Sequence, residues 1–359
     1  MIKTIHRLLA DVMAERSLDW RNCYTCIVSR PPDGKAVVCE CSDEAALTVL
    51  RDRVLPEVGE EGRRIEFVAL PAAGAGLPGA GGLIATSSVA DVRRTPAHTA
   101  ELVTQIVYGD AVTPLKEDGD WFLVRLDDGY IGWIRSWHLF ELSPERQAAF
   151  AASAKHRVAA NHATILEGPD DGALPVTDLV IGTPVVASQC GRRGWRLIRL
   201  PDGKEGFAAS KSIEKSPARK RISRGQLSST GLRFLGIPYI WGGTTPKGFD
   251  CSGLIQRVFR LGGLLLPRDA DQQALCGLEK PAGGADPAVA AQNLAAGDLI
   301  FFGKTSVQIT HVAMVLPESL FLHAYGQVRV GSLDPLSQLF DANLAENWQI
   351  TRDVLSPCK

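Results

Sequence analysis

Three side chains able to carry covalent chemistry follow one another late in the chain: Cys251, His311 and His323. Cys251 stands in Phe249-Asp250-Cys251-Ser252-Gly253-Leu254-Ile255-Gln256. Leu254, Val258 and Leu261 recur at helical spacing, with Ile255 and Phe259 beside them, which predicts a buried helix from here onward. Asp250 is a natural N-cap, so Cys251 falls in the first turn. Free backbone N–H groups and the positive end of the helix dipole favour a thiolate there. A small buried thiol at a helix start is the competing reading of this segment taken alone.

The two histidines are placed by counting. His311 and His323 each lie six residues from Pro317, and Leu316–Ser319 reads as a turn. A hairpin about Pro317 makes them cross-strand neighbours on one face, with Cβ atoms on the order of 5 Å apart. A thiolate, an imidazole and a second polar ring behind it form the nucleophile, base and orienter of acyl transfer. Cys251 then attacks, His311 activates it, and His323 fixes the ring of His311. The same three residue types can ligate a metal, although no fourth ligand stands out. Two histidines in a hairpin core are also an ordinary structural feature. Taken together the three favour catalysis, with no cofactor and no metal.

These residues need a scaffold, and from Gly225 the pattern becomes mixed helix and strand. Leu227–Leu235 reads as helix, and Pro238-Tyr239-Ile240-Trp241-Gly242-Gly243 opens a Gly/Pro-rich loop toward Cys251. Strands are expected at Gly297–Phe302, Ile309–Val315 and Leu320–Ala324, after a polar Ala/Gly-rich excursion. Several of these segments resemble the NlpC-type murein cysteine peptidases, whose catalytic core is papain-like. The matching runs are Tyr239–Gly243, Phe249–Leu254, Leu266-Pro267-Arg268, Gly297–Phe302, Thr310–Ala313 and Leu322-His323-Ala324, over about 135 residues. The resemblance implies Cys251 as nucleophile, His311 as base and His323 as third member. It also implies hydrolysis of the γ-D-glutamyl–diamino acid bond of peptidoglycan stem peptides. Tyr239 matches a tyrosine that the family keeps near the nucleophile, and a packed aromatic is its plainer explanation. Asp250 and Ser252, flanking the nucleophile, join Tyr239 among the expected substrate contacts.

Ahead of that core, residues 84–215 hold a degenerate repeat. Trp121-Phe122-Leu123-Val124-Arg125-Leu126 precedes Asp128-Gly129 and Gly132, as Trp195-Arg196-Leu197-Ile198-Arg199-Leu200 precedes Asp202-Gly203 and Gly206. From tryptophan to turn glycine is eight residues in both copies, and three more reach the next glycine. Short strands joined by Asp-Gly turns make each copy a small barrel. The pattern resembles tandem bacterial SH3-like domains. Combined with the core, it resembles the γ-D-glutamyl-diamino acid dipeptidyl-peptidases, which act on free stem peptides with an unblocked L-Ala. In such enzymes acidic groups and a tyrosine hold the free ammonium. Asp269, after Pro267-Arg268, takes the matching catalytic-domain position, with Asp271 as neighbouring alternative, while Glu101 and Tyr130 match from the first barrel. The physical demand agrees, since a desolvated ammonium needs carboxylate partners. Tyr130 stands where the second copy has Lys204, so the barrel has no evident need of it.

Residues 1–70 read as helix, two strands (Tyr24–Ser29, Ala36–Cys41), helix (Asp43–Leu55) and strand (Ile65–Leu70). Cys23 and Cys26 have zinc-knuckle spacing without the usual turn glycines; buried thiols explain them and Cys39 and Cys41 better. Ala72–Leu83 is a linker by composition. The expected organisation is multidomain α+β: 1–82 a small α/β domain and linker, 83–145 and 146–215 two SH3-like barrels, and 216–359 the papain-like peptidase.

With 39 basic against 40 acidic residues, the net charge of −1 argues against nucleic acid as main partner. The basic stretch Lys211–Arg224 reads as a solvated linker. No run approaches the roughly eighteen apolar residues of a membrane span. His6, Arg7 and Asp11 interrupt the N-terminus, so no signal peptide is read and a cytoplasmic protein with free thiols is expected. An exported wall hydrolase anchored by its barrels, and a wall-peptide-binding protein without turnover, are the alternatives.

Overall fold

The computed structural model describes residues 1–30, 36–58, 64–78, 82–217, 223–281 and 293–356. They divide into two compact units: 1–85, 93–100 and 110–144 in the first, and 86–92, 101–109 and 145–359 in the second.

In the first unit, strands Thr25–Arg30, Ala36–Cys41 and Arg64–Ala69 form a sheet in sequence order. The first pair is antiparallel and the second parallel. A parallel pair needs a crossover, and helix Glu44–Val58 supplies it. Val37, Cys39 and Cys41 alternate toward that helix and Ile2–Glu15, where they join Ile5, Leu8, Val12, Leu50 and Val54 in one core. The other face is partly covered. Tyr24 and Val68 pack with Leu115, Trp121, Leu123, Ile131 and Trp133 of the first SH3-like copy, and Lys116 Nζ lies 2.6 Å from the buried Glu40 carboxylate. Ala72, the first residue of the expected linker, joins that cluster, while residues 79–81 lie outside the described residues.

The repeat read from spacing is a repeated hairpin. Trp121–Arg125 pairs with Ile131–Arg135, and Trp195–Arg199 with Glu205–Ala209, in matching registers: Arg125 opposite Ile131 and Arg199 opposite Glu205. Gly129 and Gly203 take φ of 87° and 88°, the left-handed region that their turns require. The second copy is a seven-stranded sheet contained in the second unit, whereas the first copy's Val89–Val92 and Leu102–Val107 group with that unit and its remaining strands do not.

The catalytic-domain segment holds six antiparallel strands in the order Leu278–Lys280, Trp348–Asp353, Leu299–Gly303, Ile309–Val315, Leu320–Tyr325 and Gln327–Ser332. Leu299, Phe301, Val312, Met314 and Leu322 pack with Leu254, Ile255, Val258 and Phe259 of helix Cys251–Leu261. Ile300, Phe302, Ala313, Val315 and Phe321 alternate to a second cluster closed by Trp348. Burial of both faces explains the nearly unbroken apolar runs of these strands. The polar excursion between Pro281 and Asn293 lies outside the described residues, as does part of the basic stretch before Arg224. Among the described residues no helix is long and apolar enough to cross a membrane.

Candidate active site

Asp250 caps helix Cys251–Leu261 as its type predicts, accepting the Gly253 N–H at 2.6 Å. Its carboxylate also takes the Gly242 N–H at 2.9 Å and both terminal nitrogens of Arg268. Arg268 is 1% exposed, and it also donates to Ser252 Oγ and Thr104 Oγ1, each at 3.0 Å. A buried guanidinium and carboxylate thus satisfy each other and tie the loop before the helix to the helix start. Gly253 is required by space: a Cβ there would meet the Gly243 carbonyl oxygen at 2.1 Å.

The histidines meet, but in a different register from the one expected. Met314 lies opposite Leu322 and Val315 opposite Phe321, which centres the turn on Glu318 rather than Pro317. Pro317 lacks an N–H and has a fixed φ, so it opens the turn, while Glu318 and Ser319 take φ of 61° and 57°. Carried along the strands, this register puts Ala313 opposite His323 and leaves His311 one diagonal step away on the same face. The rings still touch, with His311 Nε2 2.9 Å from His323 Nδ1. The rings of Phe302 and Phe321 flank the pair.

Cys251 and His311 line one cavity of about 470 Å³ together with Tyr239, Thr310, Tyr325, Asp341 and Asn343. The sulfur accepts the backbone N–H of Val312, the residue after His311, and that of Ser252. Burial, then the charge of Asp250, pushes the thiol up to about 12. The dipole reading foresaw the opposite direction. Desolvation outweighs two N–H donors and the Arg268 charge, since it opposes any charged form in a closed site. Burial likewise lowers His311 to about 4 and His323 to about 3. These directions favour a thiol and two neutral imidazoles in the unliganded protein, and they make transfer of the thiol proton to His311 uphill there.

Of the other expected residues, Tyr239 lines the cavity, half-buried, its hydroxyl pushed up by burial and by the neighbouring Cys251. Asp250 and Ser252 are 7% and 5% exposed and engaged by Arg268, so they build the helix start instead of presenting side chains to a substrate. Asp269 caps the short helix Ala270–Gln273 and sits 3.9 Å from Arg268. Exposed Glu101 accepts the Trp241 indole N–H at 2.9 Å, at the loop beside Tyr239. Neither carboxylate is part of the cavity lining around Cys251. Tyr130 is not the free aromatic expected from its position. It is 4% exposed, with the ring of Trp20 edge-on at 5.8 Å, because the N-terminal domain covers that turn.

Residues 236–344 match the NlpC/P60 family, and residues 92–139 match the bacterial dipeptidyl-peptidase Sh3 domain. A γ-D-glutamyl-L-lysine dipeptidyl-peptidase of Bacillus cereus is 31% identical over 258 residues, spanning 66% of this chain and 71% of that protein. The chain belongs to the NlpC/P60 family of cysteine peptidases. Dipeptidyl-peptidase 6 of Lysinibacillus sphaericus is similar at 28% identity, over 73% of this NlpC/P60 chain and 95% of its own length. Among solved structures, an NlpC/P60 family protein from Bacillus cereus shares the fold with a TM-score of 0.64 at 21% identity, covering 76% of this chain and 99% of the other.

Several residues of this NlpC/P60 site escaped the sequence reading. Tyr325 was within reach, since it stands two residues after His323 on the same strand and hence on the same face. So was Arg329, which lies opposite His323 once Gly326 is taken as the next turn. Asp341 and Asn343 had no signal, because they return to the cavity through the irregular segment after Leu333.

Proposed function

We propose that this peptidase cleaves the γ-D-Glu–diamino acid bond of free murein stem peptides that begin with an unblocked L-Ala, in the cytoplasmic recovery of wall peptides. The observation that carries the reading is the single cavity in which Cys251 and His311 meet, with His323 2.9 Å behind His311. The names of two relatives, γ-D-glutamyl-L-lysine dipeptidyl-peptidases, support the bond chosen. Cys251 Sγ attacks the γ-carbonyl carbon of D-Glu, and its proton passes to His311. The backbone N–H of Cys251 faces the developing oxyanion, with the Tyr239 hydroxyl as second donor. His311 then protonates the amine of the diamino acid, which leaves, and water releases L-Ala-γ-D-Glu from the sulfur.

An ammonium at the far end of the dipeptide needs carboxylates around it. Glu101, held by Trp241, and Asp269, beside Arg268, are the two proposed for it. Tyr130 is left out because its ring is already buried. No metal or cofactor enters the proposed scheme.

The test is turnover of L-Ala-γ-D-Glu-diaminopimelate, and of the lysine peptide, against the same peptides acetylated at the amine. Cleavage of the free peptides alone supports the reading. Equal cleavage of both would move the enzyme to remodelling of intact wall, and cleavage of neither would leave a binding protein.

A further inference from the structure

We propose that Arg329 is a positioning residue that decides which nitrogens of the His311–His323 pair carry protons, and so restrains ionisation of Cys251 in the unliganded enzyme. This rests on reading Cys251 as nucleophile and His311 as its base. Arg329 lies on strand Gln327–Ser332, directly opposite His323. Its Nε donates to His323 Nε2 at 3.2 Å. A guanidinium has N–H donors and no lone pair to offer, so His323 Nε2 must be the acceptor. The proton of a neutral His323 then sits on Nδ1, which faces His311 Nε2 at 2.9 Å. Nδ1 donates and Nε2 accepts. His311, neutral as well, keeps its own proton on Nδ1, the nitrogen that His323 does not engage. Burial holds both rings in the neutral form, and the Arg329 charge acts in the same direction on each.

With that order of protons, His311 can donate from Nδ1 but cannot accept there. To take the thiol proton, His311 must first carry its hydrogen on Nε2 and His323 on Nε2. The second of those positions is where the Arg329 N–H points. No proton is gained or lost in the exchange; two change nitrogen. Formation of a thiolate–imidazolium pair therefore requires the Arg329–His323 contact to open. A second anchor for the guanidinium is at hand, since Arg329 Nη2 lies 3.7 Å from Asp341 Oδ2 and Asp341 borders the cavity. The other charged or polar groups facing this set are Asp250, Arg268 and Tyr239 beside Cys251, Asp341 and Asp250 toward His311, Thr310 and Asn343 in the cavity wall, and the Tyr325 ring stacked on His323.

Arg329 has two effects on the thiol, and they differ in sign. As a nearby cation it favours the thiolate; as the partner of His323 Nε2 it denies the thiolate an imidazolium. Alkylation of Cys251 by iodoacetamide, followed by mass spectrometry on the Cys251 peptide across pH, separates them without any substrate. In the full-length Arg329→Met variant the midpoint of reactivity is expected to fall by about one pH unit, a roughly tenfold faster reaction on the acid side. Arg329→Lys, which also offers only donors, is expected to stay near the parent. A midpoint that is unchanged or higher in Arg329→Met overturns the proposal and leaves the nucleophile reading intact. Cys251 reacting no faster than the buried Cys23 or Cys39 at any pH, in all three proteins, overturns both. Imidazole ¹⁵N shifts give a check that does not depend on the variant: a protonated Nε2 on His323 of the parent protein overturns the assignment.

Discussion

Two cysteines of this chain lie at or just before a helix start and have opposite fates. Cys251 opens helix Cys251–Leu261, and burial pushes its thiol up to about 12. Cys41 lies two residues before Asp43, the cap of helix Glu44–Val58, and its thiol is lowered. Cys23 Sγ lies 3.6 Å from Cys41 Sγ and the Asp43 N–H donates to Cys41 Sγ at 3.4 Å, while Arg16 adds a positive charge. A helix start therefore does not by itself make a nucleophile. What separates the two is the neighbour: Cys41 has a second thiol, whereas Cys251 has an imidazole that can accept a proton and return it. A raised thiol beside a base can be switched on, and a lowered thiol in a sealed core has nothing to react with.

The largest expected effect tests that contrast directly. Cys251→Ala should lower kcat/KM on the free tripeptide by at least about 10⁴-fold, and Cys41→Ala should leave it within about twofold. Comparable losses in both, measured on protein with native circular dichroism, would end the distinction. Next is the cation that shares Asp250. Arg268→Met leaves a buried carboxylate without its ion-pair partner, and chemical denaturation should show a loss of about 3–5 kcal/mol. A cost under 1 kcal/mol would mean that the Asp250 network does not fix the helix start.

Acid stability sharpens the comparison from the histidine side. His311 and His323, lowered to about 4 and about 3 from 6.5, bind fewer protons than the unfolded chain between those values. Stability therefore falls as pH drops below 6.5, by on the order of 2 kcal/mol per ring at pH 5. His323→Asn should flatten the fall, read as a smaller change in melting temperature between pH 7 and pH 5. The smallest effect belongs to the N-terminal thiols. Cys23→Ala removes the thiol that contacts Cys41, and a loss of about 1 kcal/mol in thermal stability is expected. A far larger loss would point to a bond between the two sulfurs.

Much of this architecture was legible because its signals are local. The Asp250 cap, the helix behind Cys251 and the two Asp-Gly hairpins depend on short-range spacing, and each formed as read. The histidine pair was found from counting even though the turn centre was misplaced by one residue and the pairing by two, since a diagonal neighbour on one face is still within reach of a ring. Burial was not legible. The direction of the Cys251 shift, the engagement of Asp250 and Ser252 by Arg268 and the covering of Tyr130 by Trp20 all depend on what segments distant in sequence bring together. Asp341 illustrates the limit, because no period connects it to the strand that it faces.

The small N-terminal sheet has a bearing on how this protein can be inherited. Its outer face is shared with Trp121, Leu123, Ile131 and Trp133, so the first barrel and the leading domain have one core in common beside the domain's own. A recombination event that cut near the Gly-rich stretch would expose that core on both fragments and create two sticky pieces. The leading domain is thus expected to be lost or kept together with the barrel strands that it packs on, Ala111–Asp118, Trp121–Arg125 and Ile131–Arg135. Three of the leading domain's cysteines, Cys23, Cys39 and Cys41, lie in its other core, against the two helices, and have no part in that shared cluster.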